Sequence, residues 1–218
     1  MKKRIMVAVP SREYIDVDSV KCIYRLEKDS WLNKDIELNV ELQPGTVIHD
    51  VRFAMAQMAI KNKYDYILWI DSDMVFSSSV LYDLLEADKD IVTAVCFMRR
   101  APYEPCIYSK LRMGATLEED QIEKYFDYPE GVFEVEACGM AMCLMKVVVL
   151  EDIITKVGQP FFPIRSDHRT LGEDLSFCFN ARKSGHKIWA TSKPNIGHIG
   201  KMNVDAETYE KIRRYRNA

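Results

Sequence analysis

Short, unbroken apolar runs alternate along this chain with segments whose apolar residues recur at helical spacing. Residues 5–9 and 66–70 are runs of the first kind, and residues 90–97 form another largely apolar run; such runs are typical of strands buried on both faces. Residues 47–61 are of the second kind, with apolar side chains at 51, 55, 58 and 59. This alternation predicts an α/β fold in which helices flank a mostly parallel central sheet.

Weaker patterns complete the predicted order of elements. We expect further strands at 36–42 and 187–190 and further helices at 17–28, 147–156, 174–184 and 205–216, with one more helix after the serines at 77–79. Proline, glycine, charged residues and tyrosine crowd the stretch 99–132, which predicts loops and a short helix near 118–125. Residues 135–145 form a long apolar segment that is interrupted at Gly139.

A chain of 218 residues without an internal repeat or a linker predicts one domain spanning 1–218. Its formal net charge of −3 argues against a broad electrostatic grip on nucleic acid. No apolar stretch approaches the length of a membrane span, and the run at 5–9 is too short for the apolar region of a signal sequence. The six cysteines form no C-x-x-C pair, so we expect reduced thiols and a cytoplasmic protein.

An acidic tripeptide, Asp71-Ser72-Asp73, follows directly after the apolar run at 66–70. In open α/β sheets, ligands bind beyond the carboxyl ends of the strands. Side chains two residues apart at a strand exit can converge on one cation, and carboxylates suit Mg²⁺ or Mn²⁺. Such a cation would carry the diphosphate of a substrate. A polar turn in which aspartate caps a helix explains the same tripeptide equally well.

Two later features carry residues that can act together with this pair. Glu173 and Asp174 precede an amphipathic helix, where Asp174 can serve as a general base, although acidic residues at a helix start are also ordinary dipole partners. His198 lies between two glycines and can complete a cation site, although it can equally be a surface-loop histidine. Their presence favours a functional site over a simple turn at 71–73.

Taken in order, five short segments resemble a GT-A glycosyltransferase of the family 2-like kind found in bacteria and phages. They are Pro10-Ser11, Asp71-Ser72-Asp73, Cys138-Gly139-Met140, Gly172-Glu173-Asp174 and Gly197-His198-Ile199-Gly200. Each motif alone is weak, but together they extend over residues 7–201. The resemblance implies a GT-A fold with a nucleotide-binding half at 1–98 and an acceptor half at 99–218 that carries the metal-binding histidine.

The same resemblance implies an activity and roles for the site residues. A sugar would pass from a nucleotide-sugar, a UDP- or GDP-sugar, to a hydroxyl acceptor with inversion. Mn²⁺ or Mg²⁺ would lie on the donor diphosphate, with Asp73 and His198 as protein ligands and Asp71 facing the ribose, or the metal through water. Asp174 would deprotonate the acceptor hydroxyl, and Glu173 would bind the acceptor or orient the base. Neither the acceptor nor the oligomeric state follows from the sequence.

The ends of the first two predicted strands offer further candidate contacts to the nucleotide-sugar. In enzymes of the family that the chain resembles, the nucleoside lies where Pro10, Ser11 and Arg12 stand here. These three residues also fit a simple turn that ends a strand. Gln43, after the second strand, can read the edge of the base or occupy a turn.

Later positions add candidate contacts to the rest of the donor. Arg52 can contact base or phosphate, or lie on a solvated helix face. Ser72 belongs to the same donor-binding set, and Gly139 indicates either a close backbone approach to a ligand or a bulge. Lys201 can reach the diphosphate, unless it is a free surface lysine. The irregular segment that begins at Arg99 would close over the acceptor.

Two other functions compete with this interpretation. Residues 71–75 fit the D-x-D-x-[TV] string of haloacid dehalogenase-type phosphatases, with Glu173 and Asp174 as the late acidic pair. That family places its nucleophile after the first strand, whereas two strands and two helices come first here. A non-catalytic nucleotide-sugar-binding module would retain the same fold, but the complete set of acidic residues and His198 argues against it.

Overall fold

A computed structural model describes residues 2–201 together with 205, 208, 210 and 213. The helix predicted at 205–216 therefore lies largely outside the described residues. The strands are β1 Lys3–Ser11, β2 Ile36–Pro44, β3 Tyr66–Ile70, β4 Met74–Phe76, β5 Ile91–Ala94, β6 Ile107–Arg112, β7 Gln121–Lys124, β8 Val132–Val135, β9 Ala137–Cys138, β10 Met142–Lys146, β11 Ile188–Thr191 and β12 Ile196–His198. The helices are α1 Val17–Ser30, α2 Ile48–Lys61, α3 Val80–Glu86, α4 Val147–Val157 and α5 Glu173–Lys183.

Seven strands form the central sheet in the order β2-β1-β3-β10-β5-β11-β8. The pairs β1–β2, β1–β3 and β5–β11 are parallel, whereas β10 is antiparallel to both of its neighbours and β8 is antiparallel to β11. The sheet is therefore mixed, and the expectation of a mostly parallel sheet is wrong. Apart from its last residue, β10 is buried, so its apolar run carries no alternation from which its direction could be read.

Helices cover both faces of the central sheet. On one face, α2, α4 and α5 pack through residues such as Met55, Leu150 and Phe177. On the other face, α1 and α3 pack through Leu26 and Leu81. Their apolar stripes face the sheet because burial of each large aliphatic side chain contributes about 1.5–3 kcal/mol. Within the described part of the chain, none of these helices combines the length and the apolar character needed to cross a membrane.

Two small sheets flank the carboxyl edge of the central sheet. In the first, β12 pairs with β4, and in the second β6 lies between β7 and β9. The short helix expected near 118–125 is wrong, because Leu111 of β6 stands opposite Ile122 of β7, whereas the loops expected in this stretch are present at 113–120 and 125–131. Leu111 is buried, and β7 pairs with the strand that carries it. A strand of four residues is too short to show a period of its own.

Candidate active site

The predicted acidic tripeptide lies at the exit of β3 and leads directly into β4. The Asp71 N–H donates to the carbonyl of Ala141 at 3.0 Å, and the Ser72 carbonyl accepts from the Asp16 N–H at 2.9 Å. The loop is thus held by the segment before β10 on one side and by the residue that caps α1 on the other. These contacts fix the backbone from which both carboxylates project.

His198 lies beside Asp73, although 125 residues separate them along the chain. Strand β12 pairs antiparallel with β4, which places His198 opposite Met74. His198 Nε2 is 3.2 Å from Asp73 Oδ1, and the Nδ1–H donates to the Phe97 carbonyl at 2.9 Å. The alternative of a surface-loop histidine is wrong, because the residue belongs to a strand and its side chain is only 16 % exposed.

Two basic side chains contact the Asp73 carboxylate. Arg99 Nη1 donates to Asp73 Oδ2, on the side opposite His198. Burial raises the pKa of Asp73, but the hydrogen bond from His198 and the charge of Arg99 outweigh it, and the pKa lies below its usual value. The hydrogen bond to Asp73 raises the pKa of His198. Asp73 therefore stays ionised.

The donor set formed by Asp73 and His198 fits a small divalent cation. An imidazole whose Nδ1–H is fixed by a carbonyl presents Nε2 as a ligand, which is the usual arrangement around a metal-bound histidine. Carboxylate together with imidazole suits Mn²⁺ better than Mg²⁺. The described residues contain no group of three or more His, Cys, Asp or Glu side chains that could hold a metal. A cation here would take its remaining ligands from substrate oxygens and water.

Arg52 binds the Asp71 carboxylate at the exit of β3. Arg52 Nη2 donates to Asp71 Oδ1 at 2.8 Å, and its Nε lies 3.7 Å from Glu173 Oε1. The guanidinium also lies over the Trp69 ring, 5.4 Å from its centroid. Arg52 is only 2 % exposed, so the alternative of a solvated helix face is wrong. The residue connects the tripeptide to the start of α5.

Asp174 and Glu173 lie in the first turn of α5, as their sequence position predicts. The Leu175 N–H donates to Asp174 Oδ1 at 2.7 Å. Burial, together with the negative charge of Glu173, raises the pKa of Asp174 to about 6. A carboxylate with this pKa is ionised at neutral pH and still accepts a proton readily, which suits a general base.

Gly139 faces Asp174 across a narrow gap. A Cβ at this position would lie 3.8 Å from Asp174 Oδ2 and 3.3 Å from Cys106 Cβ. The Gly139 N–H donates to the Cys106 carbonyl at 2.8 Å. Nearby, burial and the charge of Asp174 raise the pKa of Tyr108 to about 12. Sequence reasoning missed Cys106 and Tyr108, because both follow the prolines of a stretch interpreted as loops.

The residues predicted to hold the nucleoside come together at the ends of β1 and β2. Pro10 stands opposite Gln43 in the parallel register, and Ser11 stands opposite Pro44. Pro10 and Ser11 are buried, whereas Arg12 is exposed and Gln43 is half-buried. The structure therefore brings the predicted set to one corner of the carboxyl edge.

The segment after β12 closes the other side of this corner. Lys201 Nζ contacts the Tyr14 hydroxyl at 3.4 Å and lies 5.5 Å from the centroid of its ring. Lys201 is therefore placed over the β1–α1 loop. At Gly200 a Cβ would collide with the carbonyl oxygen of Arg99, so the two backbones pack directly against each other. Arg99 was predicted only as the start of a covering segment, and no sequence signal indicated its contact with Asp73.

Comparison with known proteins informs the fold. No family model matches the chain, and no curated protein matches it. Solved structures give 265 matching chains. Among them is the crystal structure of A197 from STIV, with a TM-score of 0.60 and 20% sequence identity over 91% of this chain and 86% of that chain. This likeness shows a shared fold, and a fold does not by itself define an activity.

Proposed function

We propose that this chain is a metal-dependent GT-A glycosyltransferase that moves a sugar from a nucleotide-sugar to a hydroxyl acceptor with inversion. The observation that carries the proposal is the 3.2 Å contact between Asp73 Oδ1 and His198 Nε2. The pair lies beyond the carboxyl end of β3, where ligands of α/β proteins bind. The Phe97 carbonyl fixes the histidine ring so that Nε2 faces the carboxylate.

Asp73 and His198 would hold Mn²⁺ or, with lower preference, Mg²⁺. A bound cation neutralises the charge that develops on the departing nucleoside diphosphate. Arg99 binds Oδ2 of Asp73 and would supply a second positive group for the oxygens of the diphosphate. The buried corner at Pro10, Ser11 and Gln43 would receive the nucleoside of a UDP- or GDP-sugar. Lys201, over the β1–α1 loop, would cover it.

Asp174 would accept the proton of the acceptor hydroxyl. A sugar hydroxyl is a weak nucleophile until a positioned carboxylate removes its proton, and the raised pKa suits Asp174 to this step. Gly139 leaves the space in front of this carboxylate open, since any side chain there would approach Oδ2. Glu173, held near Arg52, keeps the proton affinity of the base high and would orient it. The Tyr108 hydroxyl would contact the acceptor beside it.

The experiment is a screen of nucleotide-sugars for hydrolysis and for thermal stabilisation, with Mn²⁺ and with EDTA. We expect one donor to stabilise the protein and to be hydrolysed slowly only with Mn²⁺, because a ligand bound by the folded state raises its apparent stability. Asp174→Asn should keep the stabilisation and lose the hydrolysis. Stabilisation without turnover by the unmodified protein would instead identify a non-catalytic binding module.

The phosphatase alternative has a separate signature. A phosphatase would use Asp71 as its nucleophile, yet Arg52 Nη2 already binds Asp71 Oδ1. No further observation favours that reaction. Release of phosphate from phosphoesters, lost in Asp71→Asn, would support it against a glycosyltransferase. We also propose a cytoplasmic location, and the six free cysteines suit a reducing compartment.

A further inference from the structure

Cys96 and Cys106 stand opposite each other on two antiparallel segments beside the candidate active site. Phe97 and Pro105 form an antiparallel bridge, and the Cys106 N–H donates to the Cys96 carbonyl at 2.8 Å. Directly opposed residues of this kind point to the same face, with Cα atoms about 5.5 Å apart. That spacing falls within the range that a disulfide needs, about 4.4–6.8 Å.

The two thiols differ in exposure and in acidity. Cys106 is half-buried, whereas Cys96 is 2 % exposed. A hydrogen bond between the thiols lowers the pKa of Cys106, and the charge of Lys124 acts in the same direction. The same hydrogen bond, together with burial, raises the pKa of Cys96. Cys106 is therefore the accessible, nucleophilic member of the pair, because the thiolate is the reactive form.

The other four cysteines lack the accessible thiol that Cys106 offers. Cys22, Cys138, Cys143 and Cys178 are all buried. The Cys178 thiol donates to the Cys138 carbonyl at 3.5 Å, which is a contact of the apolar core. Hydrogen bonds from neighbouring thiols, together with burial, raise the pKa of Cys138 and of Cys178, which makes both thiols unreactive.

We propose that Cys106 and Cys96 are a site of reversible oxidation by small disulfides such as glutathione disulfide. The Cys106 thiolate attacks one sulfur of the small disulfide, forms a mixed disulfide and releases one small thiolate. Cys96 loses its proton, attacks the Cys106 sulfur and displaces the second small thiolate, which leaves a Cys96–Cys106 disulfide. Two cysteines are oxidised, and one small disulfide is reduced to two small thiols, which carry the two cysteine protons.

The position of the pair connects this chemistry to the site. Cys106 Cβ lies 3.3 Å from the place of a Cβ on Gly139, and Asp174 Oδ2 lies 3.8 Å from the same place. The mixed disulfide on Cys106 would therefore project toward the space in front of Asp174. Oxidation modifies the wall of the candidate active site, whatever reaction that site catalyses.

The test uses the full chain treated with glutathione disulfide, followed by alkylation of the remaining thiols and peptide mapping by mass spectrometry. We expect two of the six thiols to be lost, with Cys96 and Cys106 found in one cross-linked peptide that dithiothreitol releases. Cys96→Ser should stop at one glutathionyl group on Cys106, and Cys106→Ser should leave Cys96 unmodified. Cys22→Ser is the matched control and should react as the unmodified chain does.

The mapping of the unmodified chain decides the outcome even where a variant fails to fold. Retention of all six thiols, or a cross-link through Cys138, Cys143 or Cys178, would overturn the proposal. No step of this test depends on glycosyl transfer. Failure of the proposed function therefore leaves the redox result unaffected, and failure of the redox test leaves the proposed function unaffected.

Discussion

Arg52 Nη2 lies 2.8 Å from Asp71 Oδ1, and this contact joins the first turns of α2 to the exit of β3. The guanidinium is buried, and neither its Nε nor its Nη1 has a hydrogen-bond partner within the described part of the chain. Glu173 Oε1, at 3.7 Å from Nε, is the nearby acidic group. A buried cation with few partners depends strongly on the one carboxylate that binds it.

Replacement of Arg52 by methionine should destabilise the protein. The change keeps the apolar stem but leaves Asp71 without its partner, and we expect a loss of about 1–3 kcal/mol in the free energy of unfolding. Urea denaturation measures it. Lys61→Met, on an exposed position of the same helix, is the matched control and should change stability by about 0.5 kcal/mol or less. Equal effects of the two variants would refute the importance of the Arg52–Asp71 contact.

Asp174→Asn should stabilise the folded protein at alkaline pH while it abolishes turnover. The pKa of Asp174 in the folded state, about 6, exceeds its ordinary value of 3.8, so the folded state holds this proton more tightly than the unfolded state does. The contribution of Asp174 to the free energy of unfolding therefore falls as the pH rises from about 4 to 6. Above pH 6 the full destabilisation by this carboxylate is present. Asparagine does not titrate, and the variant should exceed the unmodified protein by about 1–3 kcal/mol at pH 8.

Urea denaturation at pH 4, 6 and 8 follows this difference, which should shrink toward pH 4. The exposed Asp167→Asn is the matched control and should show no such trend. A difference between Asp174→Asn and the unmodified chain that stays constant with pH would contradict the raised pKa.

The rate of transfer should fall as the pH drops through about 6, because the base must be ionised to accept a proton. Glu173 contributes to the raised pKa of Asp174, so Glu173→Gln should move the acid limb of the pH–rate profile to lower pH. The exposed Glu151→Gln should leave the limb in place. A limb that does not move in Glu173→Gln would assign the titration to another group.

Asp73→Asn and His198→Ala should each weaken Mn²⁺ binding at least about tenfold, or 1.4 kcal/mol, in the presence of the nucleoside diphosphate. Each variant removes one of the two donors that face each other at 3.2 Å. Calorimetric titration with Mn²⁺ measures the affinity. His186→Ala is the matched control, since His186 Nε2 also contacts an aspartate, Asp152, at 2.7 Å. Unchanged affinity in both site variants would remove the proposed metal centre.

The sequence predicts the first five elements well, because each buries one face or both faces against a common core. The unbroken apolar run at 66–70 and the helical period at 47–61 are clear local signals, and β3 and α2 confirm them within a residue. The short strands β4 and β12 escape prediction, since their pairing depends on a partner more than one hundred residues away. Three or four residues contain too little periodic information to reveal such a contact.

In the candidate site too, some features follow from local sequence patterns and others depend on contacts between distant segments. The positions of Asp71 and Asp174 at element ends follow from local patterns, because a strand exit and a helix start are visible in the sequence. The burial of Arg52 does not follow from a local pattern. Its neighbours Val51 and Met55 define the apolar stripe, and a charged residue beside that stripe is expected to be exposed. Its burial results from two carboxylates that only the folded chain brings near it.

Because β10 lies between β3 and β5, the central sheet can close only after β10 has been synthesised. Both neighbours belong to the first half of the chain, yet the strand that joins them begins at Met142. A nascent chain that ends before this residue holds two strands with unpaired edges, which are prone to intermolecular pairing. We therefore expect a fragment that ends before Met142 to leave the central sheet incomplete and to aggregate when it is expressed alone.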